Sequence, residues 1–330
     1  MRRLLLTVAF AAGSWAQSVS ILSQDQIQEL ENKVAQHPED RQSQKLLGQN
    51  YAAFILGITA LGTYNTVEGV DASKAASSFA QHSREMLSTS SLAGVVAEGG
   101  HALWDFSFQV QGYEVLKQAR DRVQYSDART LGVQALDRAI LLEPKNAAWR
   151  SYRIPILALR SNSRTTMPVD TADAYTQIKQ DLAVLTGASR YNLLASVAKQ
   201  AVKAGALDNA ASYAQELLQS ANDPKNCNYG NAIFFGNMVL GQVALRRGDK
   251  DQARSHLLAA GKTSGSPQLN SFGPNMSLAK DLLEAGDRQA VLEFFELCRS
   301  FWKMDRGRLQ DWANQINAGS TPDFGANLAY

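Results

Sequence analysis

Gly261-Lys262-Thr263 is the segment of this 330-residue chain that comes nearest to a known catalytic motif, since Gly-Lys-Thr closes a phosphate-binding loop. That loop needs a glycine five residues before the Gly-Lys pair and must follow a strand, so that its backbone N–H groups cradle phosphate. His256 stands where the glycine belongs, and the residues before it are patterned as a helix. The segment is therefore not a phosphate loop. His37, His82, His101 and His256 are scattered and form no HExxH, and Cys227 and Cys298 lack metal-ligand spacing. Gly-x-Ser-x-Gly is absent too. The sequence selects no catalytic residue, no metal ligand and no cofactor.

The remaining chemistry is hydrogen bonding from two polar stretches. ANDPKNCNYGN (221–231) and GKTSGSPQLNSFGPN (261–275) are rich in Asn, Ser and Gly, and each carries an aromatic, Tyr229 and Phe272. Short amides and hydroxyls can bind a ligand, and a ring offers it an apolar face. Asn226, Asn228, Tyr229, Gln268, Asn270, Ser271 and Asn275 are accordingly the candidate partner-binding residues. The same residue types cap helices and close turns, and Pro267 and Pro274 would fix the loop path. Of the two readings, the structural one is preferred.

The elements that hold these loops are helical hairpins. Residues 237–261, NMVLGQVALRRGDKDQARSHLLAAG, read as two short helices around a turn at Gly248 and Asp249. The pattern recurs at Gly205 (KAGALDNA) and Gly286 (EAGDRQAV). Seven residues before the glycine stand Ala198, Gly241 and Ala279; four before it, Ala201, Ala244 and Leu282. Five after it come Ala210, Ala253 and Val291, nine after it Ala214, Leu257 and Phe295, and twelve after it Leu217, Ala260 and Cys298. These spacings keep each set on one helical stripe. The glycine supplies a left-handed stop, and Asp249 and Asp287 are placed to cap the next helix.

The hairpins resemble the tetratricopeptide repeat, a unit of about 34 residues with small and large side chains in fixed slots. Leu240–Gly241, the glycine turn, Ala253 and Ala260 carry the likeness, although Asn237 stands where the repeat usually has Trp. Leu47, Gly48 and Tyr51 after Pro38 fall on the same slots, as do Ala139 and Pro144 in LDRAILLEPKNAAW (136–149). Residues 60–120 are matched poorly. There, 74–87 and 107–123 read as amphipathic helices separated by the Gly/Ser-containing SLAGVVAEGG. The C-terminal GSPQLNSFGPNM, FW and PDFGANLAY further resemble an uncharacterised family of exported bacterial repeat proteins.

The repeat resemblance implies an all-α fold, an α-solenoid of tetratricopeptide-like hairpins closed by a capping helix at 309–316 with PDFGANLAY folded over it. The aromatics Phe294, Phe295, Phe301, Trp302, Trp312 and Phe324 then form the core beneath that cap. The intervals from Gly205 to Gly248 and from Gly248 to Gly286, 43 and 38 residues, exceed the standard unit. The extra residues lie in the two polar loops, which in a solenoid emerge as neighbours on one edge. A solenoid's concave face is lined by first helices, making Asn192, Gln200, Asn237 and Gln242 a second, exposed set by fold analogy.

Composition narrows the function class. Residues 1–16, MRRLLLTVAFAAGSWA, follow signal-peptide grammar and are too short to span a bilayer, so cleavage after Ala16 and a periplasmic or secreted protein are expected. Loss of Arg2 and Arg3 from a chain of 33 basic and 31 acidic residues leaves no net charge, which disfavours nucleic acid. Export permits a disulfide between Cys227 and Cys298, but Cys298 shares the apolar slot of Leu217 and Ala260 and is read as a buried thiol. Residues 17–160 form an N-terminal helical repeat region, 161–170 (SNSRTTMPVD) a hinge, and 171–330 the better-matched repeats with their cap. The expected function is a non-catalytic scaffold for a protein or peptide, with no transmembrane segment in the mature chain. A hydrolase or carbohydrate-active protein on a helical scaffold, or a structural subunit of an envelope complex, are the alternatives.

Overall fold

The computed structural model describes residues 21–56, 58–59, 62–63, 70–109, 125–160 and 171–328. The expected signal segment (1–16), the hinge (161–170) and most of the helix expected at 107–123 lie outside these residues. The chain folds as two compact units, Met1–Ile156 and Leu157–Tyr330. The division falls inside a helix (Ala147–Arg160) rather than in the polar stretch after it. The regular elements among the described residues are helices apart from one antiparallel pairing of two-residue strands, Ile58–Thr59 with Gly62–Thr63. No described helix is long and apolar enough to cross a membrane.

The first unit contains α1 (Gln24–Gln36), α2 (Arg41–Ile55), α3 (Val70–Thr89), α4 (Ala93–Gln109), α5 (Tyr125–Leu142) and the start of α6 (Ala147–Arg160). Ser23 begins α1 with a capping box, accepting from the Gln26 amide while Gln26 reaches back to the Ser23 amide. Ile27, Leu30 and Val34 of α1 pack with Leu47, Tyr51 and Phe54 of α2, Leu87 of α3, and Val95 and Leu103 of α4. The segment AGVVAEGG, expected to separate two helices, is instead the first half of α4. Its glycines serve close packing. A Cβ on Gly48 would strike the Val95 carbonyl and lie 2.7 Å from the Gly99 nitrogen. Gly100 and Gly132 meet the same way, a Cβ on either falling within 2.8 Å of the other's carbonyl oxygen. Periodicity alone treats such glycines as breakers, because the partner helix that requires them is remote in sequence.

The second unit continues with α7 (Thr171–Val184), α8 (Gly187–Lys203), α9 (Leu207–Ser220), α10 (Tyr229–Arg246), α11 (Lys250–Gly261), α12 (Pro267–Phe272), α13 (Ser277–Glu284), α14 (Arg288–Cys298) and α15 (Arg308–Asn317). The three hairpins read from sequence are α8–α9, α10–α11 and α13–α14, and every residue of the five slots is buried in all three. Their turns are alike in detail. Gly205, Gly248 and Gly286 have φ of 73°, 86° and 85°. In each turn the glycine N–H donates three residues back, to Val202, Leu245 or Leu283, and the next N–H donates five back, to Ala201, Ala244 or Leu282. This is the Schellman closure of a helix C-terminus. Asp249 and Asp287 then accept from the amides of Gln252 (2.9 Å) and Ala290 (3.3 Å).

The same closure recurs at Gly319, which no α-helix follows among the described residues. A helix, α15, lies where one was expected, with Trp312 against Phe295, Trp302 and Phe324 at ring separations of 6.0, 5.8 and 5.0 Å. The tail folds over it. Asn327 donates to the carbonyls of Phe272 (3.2 Å) and Pro274 (2.9 Å), and its own carbonyl accepts from the Met276 amide at 2.8 Å. The second polar stretch is less of a loop than expected, because Ser266 caps the six-residue α12 through the Leu269 amide.

Cys298 is fully buried and Cys227 exposed, and both are free thiols. Burial pushes the Cys298 thiol well above its ordinary range. A thiol reagent should therefore modify one cysteine, Cys227, in the folded protein and both only in denaturant; two rapid equivalents under native conditions would contradict this packing. Gly48→Ala is expected to cost about 1–3 kcal/mol or more by overpacking, measured by denaturant unfolding. Gly248→Ala, where a Cβ meets nothing but φ is left-handed, should cost about 1–2 kcal/mol.

Candidate functional site

The two polar loops are neighbours. A Cβ on Gly230 would fall on the Gly265 carbonyl, and Thr263 Oγ1 donates to the Gly230 carbonyl at 2.8 Å. Asn231 links the two loops. Its amide nitrogen donates to Asn228 Oδ1 (3.1 Å) and Gln268 Oε1 (3.2 Å), and its oxygen accepts from Ser266 Oγ (2.7 Å). Asn228 and Gln268 are thus brought together through a residue outside the predicted set. Asn226 accepts from the Asn228 amide in a local turn, at 2.9 Å. Asn270, in the orientation that satisfies its surroundings, donates to the carbonyls of Ser266 (3.1 Å) and Phe301 (3.0 Å). Asn275 is buried and accepts from the amide and hydroxyl of Ser277, opening α13. Tyr229 is half-buried at the start of α10, and Ser271 is exposed on α12.

The second set, expected to be exposed, is so only at Asn192; Asn237 and Gln242 are half-buried. Gln200, expected to be exposed, is buried and donates to the Ala158 carbonyl at 3.1 Å. Its position one stripe off the core slots does not reveal that another helix covers it. Asn237 Oδ1 accepts from His256 Nδ1 at 3.0 Å, and Gln242 donates to Ser277 Oγ at 3.0 Å. Asn192 is exposed.

A different site lies in the first unit. A cavity of about 550 Å³ is lined by Arg41, Gln42 and Lys45 of α2, Gly94 and Glu98 of α4, and Asn146 and Trp149 at the start of α6. The volume is within the range of small-ligand pockets, about 300–1,000 Å³. Arg41 and Lys45 are one helical turn apart, as are Gly94 and Glu98, so each pair shares a helical face. Gly94 makes the room, since a Cβ there would displace the Gln44 amide and lie 3.2 Å from Arg41 Nη1. Glu143 braces the wall, ion-paired to Arg41 and accepting from Asn146 Nδ2 (2.8 Å) and Trp149 Nε1 (3.0 Å). Glu98, only 8% exposed, accepts from the Tyr152 hydroxyl at 3.1 Å. His101 stacks on Tyr152 with ring centroids 4.1 Å apart and faces Asp105 at 3.5 Å.

Burial raises the Glu143 carboxyl, but the Arg41, Asn146 and Trp149 donors together outweigh it and hold it below the usual range. Tyr152 is pushed up, first by burial and then by the Glu98 and Asp105 charges. Burial likewise raises Asp105, ahead of the opposing field of His101. A phenol shifted upward is a poor proton donor or base at neutral pH. Among the described residues no three of His, Cys, Asp and Glu converge as metal ligands would. The lining presents basic and amide donors, carboxylate and amide acceptors, and an indole face.

Comparison with protein-family models, curated proteins and solved structures finds no match to the chain.

Sequence reasoning missed this cavity because its residues come from three segments near positions 41, 94 and 146. The available signal was the shared one-turn spacing of Arg41/Lys45 and Gly94/Glu98, which becomes legible only once AGVVAEGG is read as helix. The brace is testable by pH. A carboxyl held below its unfolded value contributes stability that is present above that value and is lost as pH falls through its folded value. Thermal stability should therefore drop as pH falls below about 4.3, the unfolded glutamate value. Glu143→Gln should lower stability at pH 7 and flatten part of that acid limb; unchanged pH profiles would remove Glu143 from the account.

Proposed function

We propose that this protein is an exported, non-catalytic scaffold of the tetratricopeptide-like, α-solenoid kind, which binds a protein or peptide partner through the cavity between α2, α4 and α6. The carrying observation is the cavity lining: a buried carboxylate, two basic side chains, two amides and an indole around one volume. Arg41, Lys45 and Gln42 offer an extended peptide hydrogen-bond donors, Glu98 and Gln42 acceptors, and Trp149 an apolar face, while Asn146 is held by Glu143 and Ala148. The loop edge supports recognition less well, because Asn228, Gln268, Asn270 and Asn275 already spend bonds on their own loops. Export rests on the signal-like residues 1–16, and the resemblance of the C-terminus to exported bacterial repeat proteins agrees with it. The repeated slots and turns of α8–α9, α10–α11 and α13–α14 support the repeat reading.

A carbohydrate is the occupant that the Trp149 face and neighbouring amides favour next. Selection of a random peptide display library against the full mature chain, beside a glycan array, distinguishes them. Recovered peptides should lose at least about tenfold in affinity on Trp149→Leu, as expected for a central aromatic contact. They should be indifferent to Asn228→Ala and Asn270→Ala, with each variant's melting curve confirming its fold. Peptides indifferent to Trp149 but lost with the loop variants would move the site to the loop edge. Glycan binding alone would replace the peptide reading.

A further inference from the structure

The first-unit cavity carries its charges in an arrangement that specifies its ligand. Arg41 and Lys45 project from α2, while Glu98 stands on α4 with Trp149 of α6 completing the lining. Gly94 and Glu98 are one turn apart on α4, and Arg41 Nη1 lies over Gly94, so the basic and acidic groups belong to adjoining walls. A carboxylate that is nine-tenths buried is costly unless a cation or several donors compensate it. Among the described residues, Glu98 is bonded by the Tyr152 phenol and forms no ion pair. Glu98 and Trp149 line the same cavity, and an indole is the ring that attracts cations best. Arg41 is tied to Glu143 and Gln44 by one nitrogen each, and a guanidinium carries five N–H donors, so part of its fork remains for a ligand anion.

We infer that this cavity takes a zwitterionic ligand, with an ammonium at Glu98 against Trp149 and a carboxylate at Arg41 and Lys45. The inference rests on the cavity being a binding site, as proposed above, and adds the class of ligand. A single anion would leave Glu98 uncompensated and face its charge, and a single cation would face Arg41 and Lys45. Only a ligand with both groups meets both walls. Two sources share this chemistry: the free ends of an amino acid or short peptide, and a Lys–Asp pair inside a longer chain.

Calorimetric titration of the full mature chain with free trialanine, its N-acetyl and C-amide derivatives, and a doubly capped Ala-Lys-Asp-Ala tests it. Binding of trialanine, weakened tenfold or more by either block, supports the free-end source. Binding of the capped Lys-Asp peptide in preference to trialanine supports the internal pair. In the variant Glu98→Gln, which keeps the shape and the Tyr152 contact, N-acetylation should no longer matter for trialanine. Lys45→Gln should likewise blunt the effect of C-amidation, and melting curves should show both variants folded. Equal binding of free and blocked peptides would overturn the zwitterion while leaving a peptide site in place. No binding by any of the four, with library peptides still captured through Trp149, would overturn it too. Failure of both this titration and the library would remove the site itself.

Discussion

The closeness of helix–helix approach is the constraint on which the rest of this structure depends. Where Gly48 meets Val95 and Gly99, and where Gly100 meets Gly132, backbone lies on backbone with no space for a methyl group. The second unit uses the same device in milder form, with Ala198, Gly241 and Ala279 at the equivalent crossing of each hairpin. Small residues at the crossing bring the helices together, and larger ones further along, such as Leu257 and Phe295, fill the wedge that opens beyond it. Glycine in a helix costs about 1 kcal/mol against alanine. Here that cost is offset by dispersion contacts along whole helix faces that a Cβ would hold apart.

Close approach also decides where the charges go. Helix ends brought near a neighbour leave carbonyls that need donors. Cations from adjacent hairpins supply them: Arg138 reaches the carbonyls of Thr89 (2.8 Å) and Ser90 (3.1 Å), and Arg190 that of Leu182 (2.8 Å). Arg246 reaches Val202 and Lys250 reaches Ala285 in the same manner. Positive charge at a helix C-terminus also complements the helix dipole. Arg254 ties α11 to the cap of the next turn through Asp287, 2.7 Å away, so a residue that begins one helix also registers it against its neighbour. Arg41 with Glu143 is the same kind of tie in the first unit, and there it builds a cavity wall.

The hairpins of the second unit were legible because everything that defines them is local. Stripe, glycine stop and aspartate cap fall within about 25 residues, and the slots of Ala210, Ala253 and Val291 could be compared copy against copy. Cys298 was placed in the core by that comparison alone. The first unit was less legible because its decisive contacts are remote: Gly99 and Gly100 look like breaks until Gly48 and Gly132 are seen against them. Gln200 failed for the same reason, since the Ala158 carbonyl that covers it belongs to another helix. Of the candidate site, sequence reading found the loops that meet but not what their residues do on meeting.

Hydrogen-bond accounting separates those two outcomes. Asn226, Asn228, Asn270 and Asn275 carry the composition expected of a recognition surface, yet each has a named partner in its own loops or in the backbone nearby. The tail reinforces this, for Asn327 holds the carbonyls of Phe272 and Pro274, on either side of Gly273, whose left-handed backbone lies under the Trp302 ring. These polar residues fix the path of a chain that must turn closely against an aromatic core. Glu98 is the opposite case, a buried charge whose protein partner is a single phenol. Polarity that is satisfied internally shapes the fold; polarity that is buried and only half satisfied, beside a cavity, is the feature on which the proposed ligand site rests.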